Sequence, residues 1–270
     1  MTTNEFTVVP GKRLGRLPAS FRASLNISNY LTGEVPSRPA TADHISSVPV
    51  WNLGGNNQFS TCGPTSVANY ITSVYKYLTG LNVTVADEHI YALYRLAGNP
   101  LFNPVTGAGD NGVDMNVLMD AWIAHGIWAT NPNGSLFHVR PLAAASVNAN
   151  DLPVVQAATA LFGGVLFGMN MKDAQQTQQI WTPVPGSPEW GGHAVFGGAY
   201  TEVPDDDEQL ISWAAKYGTT DSFIETQAEE AFVPILPILL ASPDFVAGVN
   251  VAELAADWKA LTGKSFPAAA

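Results

Sequence analysis

The hydrophobic pattern of this chain switches partway along from a 3.6-residue period to the short apolar runs of strands, and that switch limits its fold more than any other feature. Val67, Tyr70, Ile71, Val74, Tyr75 and Leu78 recur at helical spacing, with Pro64 where a first turn tolerates proline and Gly80 where a helix stops. The spacing predicts a helix over 63–79. A second helix is expected over 86–97, opening on Asp87 and Glu88 where the helix dipole favours acids, and a third over 113–125, before Gly126. Residues 151–161 carry a weaker helical pattern. Beyond them, 163–169, 193–200 and 209–213 read as strands, and a last helix is expected near 250–262. Helices first and an antiparallel sheet after them define an α+β class.

Residues 1–49 break that pattern. Prolines 10, 18, 36, 39 and 49 interrupt scattered hydrophobics that keep neither period, so the segment reads as an extended arm. It either docks on its own body, burying Phe6, Leu17, Phe21, Leu25 and Leu31, or reaches a neighbouring chain. Residues 50–225 form the expected core domain, and 226–270 an extension packed on it. Only 13% of residues are charged, about half the ~25% of an average soluble domain. Such a surface leaves area for a partner or identical copies, so an oligomer is possible. The net charge of −11 argues against nucleic acid as partner, because phosphate contacts need clustered Lys and Arg. The basic residues Lys12, Arg13, Arg16 and Arg22 of the arm suit an acidic surface, or are simply solvated. The most apolar stretch, 231–241, contains two prolines and is too short to span a bilayer, which needs ~20 residues. No secretory signal is visible in the first thirty residues, and one cysteine excludes an internal disulfide.

That cysteine, Cys62, falls at the start of the first expected helix. There, unpaired backbone N–H groups and the positive end of the dipole favour thiolate, the nucleophilic form. The competing reading is a small buried hydrophobe, which is what a lone free cysteine usually is. Three features favour chemistry. Asn56 lies six residues earlier, in the Gly54-Gly55-Asn56-Asn57 loop, where its amide and the Cys62 N–H can hold an oxyanion. His193 begins a strand of small residues, Gly191-Gly192-His193-Ala194-Val195, that leaves room for substrate. The Cys-to-His separation of 131 residues falls within the ~130–150 of papain-type enzymes.

Asn56-x5-Cys62-Gly63 opening a helix, then Gly192-His193-Ala194-Val195, then Ile211-Ser212-Trp213, resembles the papain-like cysteine peptidase superfamily over roughly residues 50–225. A closer resemblance is to papain-like proteins of actinobacterial phages, some of them virion-associated. It is carried by Trp51-Asn52-Leu53-Gly54, Asn56-Asn57, Cys62, Gly112-Val113-Asp114-Met115, Gly191-Gly192-His193, Ser212-Trp213 and the tail around 240–261. The resemblance implies a papain-like cysteine protease fold, with an N-terminal helical half carrying the nucleophile helix and a C-terminal antiparallel β half. It implies Cys62 as nucleophile, His193 as base, Asn56 as oxyanion amide, and Trp213 covering the histidine. Gly192 and Trp190 are the expected substrate contacts beside Trp213. Three departures stand out: no papain-type Cys-Gly-Ser-Cys-Trp stretch is present, fifty residues before the core look short for a papain-type inhibitory pro-segment, and the family's Asn that orients the histidine falls at Ile211, which cannot hydrogen-bond an imidazole. Ser212 substitutes, or an acid of Asp205–Asp207 does, or the pair works as a dyad.

Other motifs carry less. Gly107-Ala108-Gly109-Asp110-Asn111-Gly112 matches a dinucleotide fingerprint but has no preceding strand, and Asp110 would repel a pyrophosphate, so a loop is expected. Asp205-Asp206-Asp207-Glu208 suits a hard cation, or more simply a solvated hairpin turn. His44, His89, His125 and His138 lack metal-ligand spacing. Trp122, Trp128 and Trp181 line a substrate cleft or, as large aromatics more often do, sit in the core. The expectation is a thiol hydrolase acting on a peptide or protein, with neither cofactor nor metal and no membrane partner, resident in a bacterial host cytoplasm or a phage virion. The alternative is a virion structural or assembly protein that keeps the fold and contacts other phage proteins through residues 1–50.

Overall fold

The computed structural model describes residues 11–20, 24–32, 38–203 and 207–266. Its first half is helical, with a short strand β1 (Ala42–Asp43) ahead of helices α1 (Cys62–Thr79), α2 (Asp87–Leu96) and α3 (Met115–His125). A small hairpin, β2 (Ile127–Thr130) and β3 (Leu136–Val139), leads to β4 (Ala143–Val147), helix α4 (Leu152–Phe162) and β5 (Val165–Lys172). Strands β6 (Ile180–Trp181), β7 (Glu189–Tyr200), β8 (Glu208–Ser212) and β9 (Ala215–Thr219) follow. Helix α5 (Asp221–Gln227), strand β10 (Ala228–Ile235), and helices α6 (Pro243–Gly248) and α7 (Val251–Thr262) complete the chain.

Each predicted helix forms, for local reasons. α1 has Pro64 in its first turn and ends on Gly80 at φ 75°, whose N–H reaches Lys76 O. The Asp114 carboxylate caps α3, accepting from the N–H groups of Asn116 and Val117, and Asp151 caps α4 through Val154 N–H. α1 is buried continuously from Cys62 to Val74, so it is the central helix of the core and not a surface element. It packs on β7.

The main sheet runs β4-β10-β5-β7-β8-β9-β6, with β1 also pairing β7; β6 and β9 pair in parallel and the other named strands pair antiparallel. β10 lies inside this sheet, between β4 and β5. The boundary drawn at residue 225 therefore cuts through the sheet, and the apolar stretch after it is an inner strand followed by a 3-10 turn.

The described residues of the arm dock on the body. Arg16 bridges Val113, Asn26 bridges Ser146, Leu31 bridges Val249, and β1 pairs β7. Leu14, Leu25, Ile27, Tyr30 and Ile45 are buried in the common core. Of the five apolar residues expected to anchor it, Leu25 is buried and Leu17 and Leu31 are half-buried, while Phe6 and Phe21 lie outside the described residues. Among the described residues no helix is long and apolar enough to cross a membrane.

Candidate active site

Cys62 is the first residue of α1 and is 1% exposed. The preceding Thr61 does not cap the helix; its hydroxyl donates to Gly54 O at 2.7 Å, tying down the glycine-rich loop. The sulfur faces the N–H groups of Gly63 and of Ala194, which directly follows His193. Nucleophile helix and histidine strand thus meet at this point.

His193 is fully buried on β7. Its Nε2 lies 2.6 Å from Ser212 Oγ, while Nδ1 has no hydrogen-bond partner among the described residues. Pairing of Phe196 with Ile211 and of Ser212 with Ala215 turns Ile211 into the core and Ser212 toward the imidazole, because successive strand residues face opposite sides. Asp207 sits beyond the far end of β8 from Ser212, where its carboxylate accepts from Asp221 N–H; Asp205 and Asp206 lie outside the described residues. Trp213 stacks on His193, with centroids 4.3 Å apart and planes 11° apart. Trp213 and Ala214 have φ of 47° and 58° and form the two-residue turn joining β8 to β9. Such a turn favours Asn-Gly, so strain is accepted here to hold an indole over the histidine. Trp190, expected in the cleft, is 3% exposed and supports Trp213 from 5.8 Å; Trp181 and Tyr217 complete the aromatic cluster.

The cleft between helices and sheet contains residues 12–17 of the arm. Asn56 Nδ2 donates to Arg13 O at 3.0 Å, and Arg13 N–H donates back to Asn56 O. Trp213 Nε1 donates to the same Arg13 carbonyl at 3.2 Å. Gly192 O accepts from Gly15 N–H and Arg16 N–H, and on the opposite wall Val113 donates to Gly15 O and accepts from Leu17 N–H. A β-carbon on Gly15 would overlap Ser60, and one on Gly192 would overlap the Arg16 carbonyl, so only glycine permits this approach. Lys12 lies over the rings of Trp213 and Tyr217 and donates to Gln176 O.

Burial dominates the electrostatics of the site. Burial pushes the Cys62 thiol up to about 11, against the smaller opposing pull of the Ala194 and Gly63 N–H groups. Burial also pushes His193 down to about 3, helped by the arm cations Arg16 and Lys12. In this state burial opposes the thiolate that the helix terminus favours, and it disfavours the charged forms of both side chains.

Several participants were not legible in the sequence. Asp110, inside the fingerprint-like loop, accepts from Ser60 N–H and Tyr94 OH, and Tyr94 OH in turn accepts from Gly112 N–H. One carboxylate thus fixes both the segment before Cys62 and the strand-like wall at Val113. Arg16, Glu229 and Glu230 also meet beside the cleft, and no motif signals that. Among the described residues no group of three or more His, Cys, Asp or Glu side chains is placed to hold a metal.

No family model matches the sequence, and no curated protein sequence matches it. Solved structures do. Xylellain, a cysteine protease from Xylella fastidiosa, superposes with a TM-score of 0.65 at 11% identity, over 87% of this chain and 99% of that one. ProCathepsin B S9 from Trypanosoma congolense gives 0.59 at 12% identity, over 84% and 87%. The ragweed pollen cysteine protease Amb a 11, in its proform, gives 0.54 at 16% identity, over 75% and 68%. The chain has the α+β papain-like cysteine protease fold.

Proposed function

We propose that this chain is a cysteine peptidase of the papain-like, actinobacteriophage type, whose cleft is closed by its own residues 12–17. The observation that carries this reading is the bound backbone itself. Asn56 and Trp213 donate to one peptide carbonyl, while Gly192 and Val113 hold the next residues by main-chain bonds. A site that already grips an extended peptide beside a buried Cys and His is built for a peptide substrate.

With the arm withdrawn, His193 Nδ1 accepts the thiol proton and Ser212 keeps the ring oriented through Nε2. The thiolate attacks the substrate carbonyl carbon, and Asn56 Nδ2 with the Cys62 N–H stabilises the oxyanion. His193 returns the proton to the leaving amine as the C–N bond breaks. Water, deprotonated by His193, then hydrolyses the thioester and regenerates Cys62.

The test is the full chain with Gly15→Val, which drives a β-carbon against Ser60. The variant is expected to alkylate Cys62 with iodoacetamide at pH 7 at least tenfold faster than the parent and to hydrolyse labelled casein. Cys62→Ala in the same background is expected to abolish hydrolysis. Rapid alkylation with no hydrolysis of any peptide overturns the reading. A second reading, a phage virion or assembly protein that keeps the fold without activity, draws support from the burial of Cys62 and from His193 Nδ1, which has no hydrogen-bond partner among the described residues. It predicts that outcome, with the chain in purified virions and not free in host cytoplasm.

A further inference from the structure

Arg16 is the least expected occupant of the cleft: its side chain is 2% exposed, yet it belongs to the arm. Its guanidinium meets three acceptors. Nη1 pairs with Glu230 Oε1 at 3.0 Å, Nη2 pairs with Glu229, and Nε donates to Met169 O at 3.3 Å. Two consecutive residues of a regular strand cannot both face one group, because their side chains alternate. The pairing of β10 with β5 is irregular between Ala228 and Glu230, and that bulge brings both carboxylates to the same side. Opposite Glu230, position 168 is glycine; a β-carbon there would overlap both Glu230 and the Arg16 stem. The strands are in register with the histidine, Met169 pairing His193 and Gly168 pairing Ala194. The acids therefore sit about two strand spacings, ~10 Å, from the base.

These features describe a built receptor for a guanidinium. Burial raises the Glu230 carboxyl, and Asp114 and Glu229 add to that, whereas Arg16 opposes it. With Arg16 gone, Glu230, whose side chain is 9% exposed, lacks a counter-charge, a costly state that a cation from elsewhere relieves. The geometry points to this pocket as a specificity subsite of the cleft, taking an arginine side chain of the substrate when the arm leaves. Lysine fits less well, since one ammonium cannot meet three divergent acceptors as a planar fork does. This assignment rests on the peptidase reading but has its own readout.

The full chain carrying Gly15→Val and Arg16→Ala empties the pocket and displaces the arm. Acetyl-Leu-Gly-Arg-Leu-amide and its citrulline counterpart, which keeps the shape and loses the charge, are titrated into it by calorimetry, and each mixture is assayed for cleavage. The arginine peptide is expected to bind at least tenfold more tightly, and adding Glu230→Gln is expected to bring the ratio below twofold. Should that variant not fold, Glu229→Gln, at a half-exposed position, is expected to lower the ratio as well. Equal affinities, or no binding of either peptide, overturn the subsite whatever is cleaved. Selective binding with neither peptide cleaved leaves the subsite standing and overturns the peptidase reading instead.

Discussion

Ser212 and Ile211 are adjacent, and strand alternation gives them opposite environments. Ser212 is the only partner of His193 Nε2 among the described contacts. Ser212→Ala in the arm-displaced chain is expected to lower kcat/KM by about 10- to 30-fold with little change in KM, the size of one orienting hydrogen bond. Steady-state kinetics on a labelled peptide check this, and an unchanged kcat would remove Ser212 from the site. A second residue-scale effect lies at the other end of β8. Glu208 is buried; Gln156 binds its Oε1, while Oε2 and Asp221 Oδ1 lack other partners. Burial, with Asp221 and Asp207 nearby, raises its carboxyl well above the ordinary range, so folding favours the protonated form, which hydrogen-bonds Asp221. Here the folded state binds more protons than the unfolded one, so this contribution to stability falls as pH rises through the carboxylate range toward neutrality. Chemical denaturation from pH 5 to 8 is expected to show Glu208→Gln gaining on the parent as pH rises. A constant difference would refute the shared proton.

At the scale of elements, the β8–β9 hairpin shows local preference yielding to the site. Its turn places Trp and Ala where φ is positive at both positions. Ala214→Gly is expected to stabilise the fold by about 0.5–1 kcal/mol, after allowing for the freer unfolded chain, without moving the Trp213 ring. Thermal and urea denaturation measure the gain, and a loss of stability would show that the turn is not strained. The bulge in β10 is the same kind of device: an irregularity in pairing that aims two acids at one group.

The whole molecule places the arm among its core elements. Ile27 is fully buried, and Tyr30 OH donates to Asp257 on α7 at 2.8 Å, linking the start of the chain to its last helix. Ile27→Ala is expected to cost about 2–5 kcal/mol, a large share of the ~5–15 kcal/mol stability of a typical domain. Urea unfolding tests it, and a cost below 1 kcal/mol would show that the arm contributes little to the core. Deleting residues 1–45 would remove Leu14, Leu25, Ile27 and Tyr30 together, so a body lacking the arm is not expected to fold cooperatively.

Much of this was present in the sequence alone. Helices α1, α2, α3 and α7 follow from period, caps and glycine stops, because those interactions span only a few neighbouring residues. The order of helices and strands dictated the α+β class, and the spacing of Asn56, Cys62 and His193 singled out three candidate residues. What the tertiary structure decided is of another kind. Whether Ser212 or Ile211 faces His193 depends on strand register, and whether Cys62 is thiolate or thiol depends on what covers it. That Arg16 meets Glu229 and Glu230 depends on contacts more than 200 residues apart in sequence, between a segment without periodicity and a strand whose position inside the sheet only its neighbours define. Local chemistry is written in adjacent residues, whereas burial and long-range pairing exist only once the chain has closed on itself.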